Sequence, residues 1–109
     1  MAYDEGLAER LRECFKGKRG ITEKRMFGGL CFLLHGNMAV GITKNELMVR
    51  YAHEEHDAVM KMKDVRPMNF TKRAMKGFAF VGPKGFDSQQ DLEAWVERCL
   101  SYVSTLPAK

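Results

Sequence analysis

Two adjacent glycines, Gly28 and Gly29, interrupt an apolar run that reads RMFGGLCFLLHGNMAVGI from Arg25 to Ile42. Glycine weakens a strand, because it loses the most backbone freedom on folding and has no side chain to pack. The pair therefore marks either a bend in the backbone or a place where another group approaches it closely. We expect a bulge or kink within one long strand over residues 24–34, with at least one glycine in a conformation that a Cβ disfavours.

These glycines do not match the known nucleotide-binding loops. A dinucleotide fingerprint needs G-x-G-x-x-G between a strand and a helix, but FGGLCF is followed by more strand-like sequence. A phosphate-binding loop needs G-x-x-x-x-G-K-[ST], and the sequence contains no such string. A structural role for the glycine pair is therefore the favoured interpretation.

The periodicity of apolar residues predicts an α+β domain with the element order α-β-β-β-α-β-β-α. Helical spacing begins after Asp4, a candidate N-cap, and returns over residues 53–62 and after Ser88, a second candidate N-cap. Short connections between the strands predict a curved antiparallel sheet with the helices packed on it. The predicted strands cover residues 24–34, 38–43, 46–51, 66–70 and 77–82, with a turn at Gly36.

The last predicted helix has the clearest amphipathic stripe of the chain. Leu92, Trp95, Val96 and Cys99 recur at helical spacing within it. We therefore expect Trp95 to be buried against the sheet.

Composition is that of one ordinary globular domain over residues 1–109, with 45% hydrophobic and 29% charged residues. Charged residues break up the first ten positions, so we expect no signal peptide, and no apolar stretch is long enough to cross a membrane. The three cysteines, Cys14, Cys31 and Cys99, are odd in number and far apart, which argues against a disulfide framework. These features predict a cytoplasmic protein.

Three groups of motifs resemble the TfoX (Sxy) N-terminal domain. The first is RMFGG (25–29), followed by HGNMAVGI (35–42) and LMVR (47–50). The resemblance extends over about residues 4–107, and its later parts are PMNF (67–70), MKGFAFV (75–81) and DLEAWVERCLSYVSTLP (91–107).

The resemblance implies an α+β fold similar in layout to type III secretion chaperones. The best-known members of the family regulate natural competence as coactivators beside the cyclic-AMP receptor protein, and they carry a second, C-terminal domain. This chain ends at Lys109, so we expect a stand-alone single-domain member. The resemblance brings no cofactor and no catalytic residue, and we expect none, nor a bound metal.

Protein–protein interaction is the leading hypothesis for function, with an unidentified protein or a second copy of the chain as partner. It rests on the resemblance and on the eight methionines, whose soft side chains suit a binding surface, although most of them are expected in the core. The structural positions are Gly28, Gly29, Gly36 and Trp95. The candidate binding residues are Arg25, Met26, Phe27, Arg50, Arg66 and Arg73.

Two other classes of function remain open. Residues 16–25 and 61–76 carry net charges of +4 and +5, so a nucleic-acid-binding, transcription-related protein is the first alternative. However, the sequence shows no helix-turn-helix, zinc-finger, RRM or KH motif. A small enzyme or metal-binding domain is the second alternative, because His53 and His56 share a predicted helix face, but two ligands do not complete a zinc site.

Overall fold

The computed structural model describes residues 3–26, 28–68 and 76–108. These residues form three α-helices, six strands and two short 3₁₀ turns, His53–Glu55 and Pro83–Gly85. The helices are α1 (Glu5–Phe15), α2 (His56–Met60) and α3 (Gln89–Val103). The strands are β1 (Ile21–Met26), β2 (Gly29–Leu34), β3 (Asn37–Thr43), β4 (Glu46–Arg50), β5 (Val65–Pro67) and β6 (Phe78–Val81).

All six strands belong to one antiparallel sheet with the order β1-β2-β3-β4-β6-β5. The first four strands form a meander, and each turn between them spans two residues. Gly36, with φ +85°, lies in the second of these turns, as predicted. The α+β class and the curved antiparallel sheet with helices packed on it are thus confirmed.

The prediction of one strand over residues 24–34 was wrong, because the chain reverses direction between Met26 and Gly29. The reason lies in the two glycines. Gly28 has φ +71°, a left-handed conformation that suits a tight hairpin turn and that only glycine adopts without cost. At Gly29, a Cβ would lie only 1.8 Å from the carbonyl oxygen of Ile42 on β3. One glycine therefore allows the turn, and the other allows a close approach of two backbones.

The helix boundaries follow the predicted capping residues. Asp4 accepts hydrogen bonds from the backbone amides of Gly6 and Leu7, and the Ser88 side chain accepts one from Asp91. Each cap satisfies amide groups that have no partner within their own helix. Helix α2 is shorter than the predicted 53–62, because its first residues form a 3₁₀ turn and it ends at Met60.

The main hydrophobic core lies between the helices and one face of the sheet. Trp95 of α3 is 2% exposed and its Nε1 donates to the carbonyl oxygen of Gly85 at 3.1 Å, which confirms its predicted burial. Phe15 of α1 stacks on Phe32 of β2 at 5.0 Å between ring centroids. Helices α1 and α3 also meet directly, since the guanidinium of Arg10 donates to the side chain of Gln89 at 3.2 Å.

The predicted strand over residues 66–70 is present as β5, which covers Val65–Pro67. The strand ends before Met68, and positions 69 and 70 of that prediction lie outside the described residues. No helix in the part of the chain that the structure describes is long and apolar enough to cross a membrane.

Candidate functional site

The face of the sheet opposite the helices, here called the outer face, carries a second hydrophobic cluster. Side chains alternate between the two faces of a strand, so each strand that contributes to the core also contributes to this face. The apolar buried residues of all three helices belong to the main core and none belongs to the outer face. The outer cluster comprises buried Cys31, Leu33, Met48 and Met68 and the partly buried Met26, Met38, Phe78 and Phe80.

Arg66 lies across one end of this cluster. It pairs with Phe80 in the β5–β6 register, and its guanidinium lies 5.2 Å from the Phe80 ring centroid. The same guanidinium forms a two-pronged ion pair with Glu46 of β4, with an Nη2–Oε1 distance of 2.9 Å. Because the arginine reaches across β6 to a carboxylate on β4, its charge is largely matched within the chain.

Arg50 is held at the other end of the cluster by two aromatic rings. Its guanidinium lies 5.5 Å from the centroid of Phe78, its neighbour across the β4–β6 ladder, and 5.7 Å from that of Tyr102 on α3. It also donates to the carbonyl oxygen of Met38 at 3.3 Å. Half-buried guanidinium groups stacked on aromatic rings are common where proteins bind one another.

The remaining predicted binding residues are distributed differently. Met26 belongs to the outer cluster, whereas Arg25 pairs with Leu30 and therefore points to the helix side of the sheet. The register places Arg25 level with Leu47, three strands and about 10 Å along the strand direction away from Arg50. Arg25 and Arg50 thus do not share one surface. Phe27 and Arg73 lie outside the described residues.

Several residues of the two basic segments are neutralised by glutamates on neighbouring elements. Lys18 is 3.2 Å from Glu97 of α3, and Lys16 is 3.6 Å from Glu13. In the second segment, Arg66 is paired with Glu46 of β4. A pairing of this kind reduces the positive field that a segment offers to phosphates.

A buried polar network lies where β4 leaves the sheet. The Tyr51 hydroxyl is 2.7 Å from Nδ1 of His56, and the Gly77 amide donates to the same nitrogen at 3.4 Å. Burial raises the pKa of Tyr51 to about 12, so the phenol stays protonated at neutral pH. Because Nδ1 of His56 receives the Gly77 N–H, this nitrogen serves the fold as an acceptor. His53 lies in the 3₁₀ turn that precedes α2, and His56 lies in α2 itself. No three His, Cys, Asp or Glu side chains converge among the described residues.

The cysteines are poorly suited to act as nucleophiles. Burial raises the pKa of all three thiols above the usual range, and it raises that of Cys99 to about 12. A thiol is nucleophilic as the thiolate, so a raised pKa keeps these side chains unreactive at neutral pH. Cys31 and Cys99 are buried as small apolar residues, and the half-buried Cys14 packs against the main core.

We expect iodoacetamide at pH 8 to modify Cys14 first and Cys99 only after unfolding. Each unit of pKa removes about nine-tenths of the reactive thiolate, so the folded-state rate at Cys99 should be about a thousandfold below that of a free thiol. Mass spectrometry of the digested protein measures both rates, with the urea-unfolded chain as the control. Equal rates at Cys14 and Cys99 in the folded protein would contradict the burial and protonation of Cys99.

Part of this arrangement could not be predicted from the sequence. The stacks of Arg50 on Phe78 and of Arg66 on Phe80 depend on which residues face each other across β6. The sequence signal was the alternation of Phe78 and Phe80 with small residues, which assigns the phenylalanines to one face but does not name their partners.

Comparison with known protein families agrees with this fold. The family model described as "TfoX N-terminal domain" matches residues 13–102, which include every strand of the sheet and nearly all of α3. No curated protein and no solved structure matches the chain significantly. Because the family model covers most of the chain, this protein belongs to the TfoX N-terminal domain family.

Proposed function

We propose that this competence-regulator-like domain is a non-catalytic adaptor that binds a protein partner through the outer face of its sheet. The observation that carries the proposal is the composition of that face. Partly buried methionine and phenylalanine side chains lie beside Arg50 and Arg66, and none of the buried apolar side chains of the described helices belongs to this cluster. Methionine, aromatic residues and arginine are the residue types enriched at protein–protein interfaces.

The details of the arginine stacks also support a binding role. Arg50 and Arg66 are fixed by aromatic rings, so little side-chain entropy is lost when a partner orders them. Met38 and Met26 lie in the same cluster and offer flexible, polarizable surface that adapts to a partner's shape. Burial raises the pKa of all three cysteine thiols, which disfavours the nucleophilic thiolate and supports the non-catalytic part of the proposal.

The proposal is tested by capture experiments with charge-reversed variants. An Arg50→Glu/Arg66→Glu protein, immobilised and exposed to extract from its native cells, should lose at least about nine-tenths of each specific partner, because charge reversal removes both stacks and introduces repulsion. Lys16→Glu/Lys84→Glu is the matched control, with two reversals at exposed positions away from the outer face. Circular dichroism verifies that both variants remain folded.

The same experiment separates the outer face from other surfaces. Loss of partners in the outer-face variant and their retention in the control supports the proposal. An unchanged set of partners in the Arg50→Glu/Arg66→Glu protein contradicts it and moves the interface elsewhere.

Binding of nucleic acid is the alternative that a salt titration decides. Contacts with phosphates release counterions, so the logarithm of the affinity should fall with a slope of about −0.9 per phosphate neutralised. The internal ion pairs of Lys16, Lys18 and Arg66 leave fewer free cations for this purpose. Submicromolar binding of duplex DNA with a steep slope between about 50 and 200 mM salt would overturn the adaptor proposal.

A further inference from the structure

Strand β1 forms one edge of the sheet, and its backbone has an open side. Within the described residues β1 pairs with β2 alone. The amide of His35 donates to the carbonyl oxygen of Gly20 at 2.9 Å, so every second residue from Gly20 onwards directs its N–H and C=O toward β2. The backbone groups that face the open edge therefore belong to Ile21, Glu23 and Arg25.

Two of these residues carry opposite charges on the same face. Glu23 and Arg25 both point to the helix side, and both are exposed. Glu23 binds Arg12 through one hydrogen bond to each carboxylate oxygen, at 2.9 and 2.8 Å. A carboxylate has about four acceptor positions, so about two remain available. No ion pair among the described residues includes Arg25.

We propose that β1 pairs in antiparallel register with β1 of a second copy of this chain, about a two-fold axis that passes beside Lys24. In this register Glu23 lies opposite the partner's Arg25, and Arg25 lies opposite the partner's Glu23. The residues opposite each other exchange both of their backbone hydrogen bonds, because their N–H and C=O groups face the open edge. Because the two-fold symmetry repeats the Glu23–Arg25 pairing, the two copies are joined by two ion pairs and four backbone hydrogen bonds.

Other registers of the same pairing lack this complementarity. Centring the axis on Glu23 sets the two glutamates opposite each other, and centring it on Arg25 does the same with the two arginines. Opposite charges across a ladder attract by about 0.2–1 kcal/mol and like charges repel. The chosen register also sets Lys24 opposite the partner's Lys24 on the outer face, which weakens the dimer. Because this interface is built around a single pair of strands, it buries little surface, and we expect a weak, transient dimer.

Charged edge strands also protect proteins from association, so a second copy must be distinguished from simple protection of the edge. The distinguishing feature is reciprocity. If the charges only protect the edge, exchanging Glu23 and Arg25 does not restore any association. If β1 forms a two-fold interface, either substitution alone weakens the dimer, and exchanging both charges restores it.

Sedimentation equilibrium of the whole chain from about 10 μM to 1 mM tests the proposal in this affinity range. Glu23→Arg or Arg25→Glu alone places like charges opposite each other twice and should raise the dimer dissociation constant about tenfold or more. The Glu23→Arg/Arg25→Glu double variant regenerates both pairs and should return to within about threefold of the natural chain. Loss of the exposed Arg12–Glu23 pair costs the fold little, and circular dichroism checks it.

A substitution at the axis tests the register independently. Lys24→Thr removes the repulsion between the two lysines and should tighten the dimer severalfold, because threonines pair well across strands. A natural chain that stays monomeric at about 1 mM overturns the proposal. So does a double variant as weak as either single one, or a Lys24→Thr variant that is no tighter than the natural chain.

Discussion

Replacing Gly29 by alanine should cost the protein about 3 kcal/mol or more of folding free energy, whereas the same change at Gly28 should cost about 1–2 kcal/mol. The added Cβ at position 29 would lie 1.8 Å from the carbonyl oxygen of Ile42, which belongs to the backbone of a central strand and cannot move away alone. The Cβ at position 28 meets nothing within 4 Å, so that variant suffers only the strain of a left-handed conformation. Urea unfolding followed by circular dichroism measures both.

Asparagine at position 28 is the matched control, because it tolerates the left-handed conformation better than alanine does. Gly28→Asn should therefore be more stable than Gly28→Ala. Equal losses at positions 28 and 29 would contradict the distinction between a turn glycine and a close-approach glycine.

Replacing Trp95 by alanine should destabilise the fold by about 3–5 kcal/mol. Its ring fills the core between α3 and the sheet, and its indole N–H satisfies the carbonyl oxygen of Gly85. Trp95 is the single tryptophan of the chain, so the unfolding of the variant must be followed by far-ultraviolet circular dichroism rather than fluorescence.

Phenylalanine at position 95 separates the packing of the ring from its hydrogen bond. Trp95→Phe retains most of the apolar volume but leaves the Gly85 carbonyl without its donor, so it should lose less stability than the alanine variant. A loss below about 1 kcal/mol for Trp95→Ala would show that α3 does not anchor the core through this residue.

Local features of the fold were predictable from the sequence because their causes are local. The caps at Asp4 and Ser88 need only a side-chain oxygen next to free amides. The turn at Gly36 needs only a residue that accepts a positive φ. In β4, Leu47 and Val49 lie in the main core and Met48 lies in the outer cluster, as the period-two alternation along a strand requires.

The reversal between Met26 and Gly29 was not predicted, because two glycines in an apolar run are compatible with both a kink and a hairpin. The distinction depends on whether residues 21–26 pair with β2, which is a tertiary property. The same dependence on strand pairing explains why the sequence did not show which candidate binding residues share a face of the sheet. Arg25 and Arg50 looked equivalent along the chain, but the register assigns them to opposite faces of the sheet.

The two-residue turns of the β1–β4 meander also determine the order in which the fold can assemble. Each turn brings neighbouring strands together at almost no loop-closure entropy, whereas Arg10 and Gln89 are 79 residues apart when α1 meets α3. Contacts between distant residues form late unless a nearby structure prepares them. We therefore expect high φ-values at the turn between β2 and β3 and low ones where α1 meets α3, so that the two ends of the chain join last, on a sheet already formed.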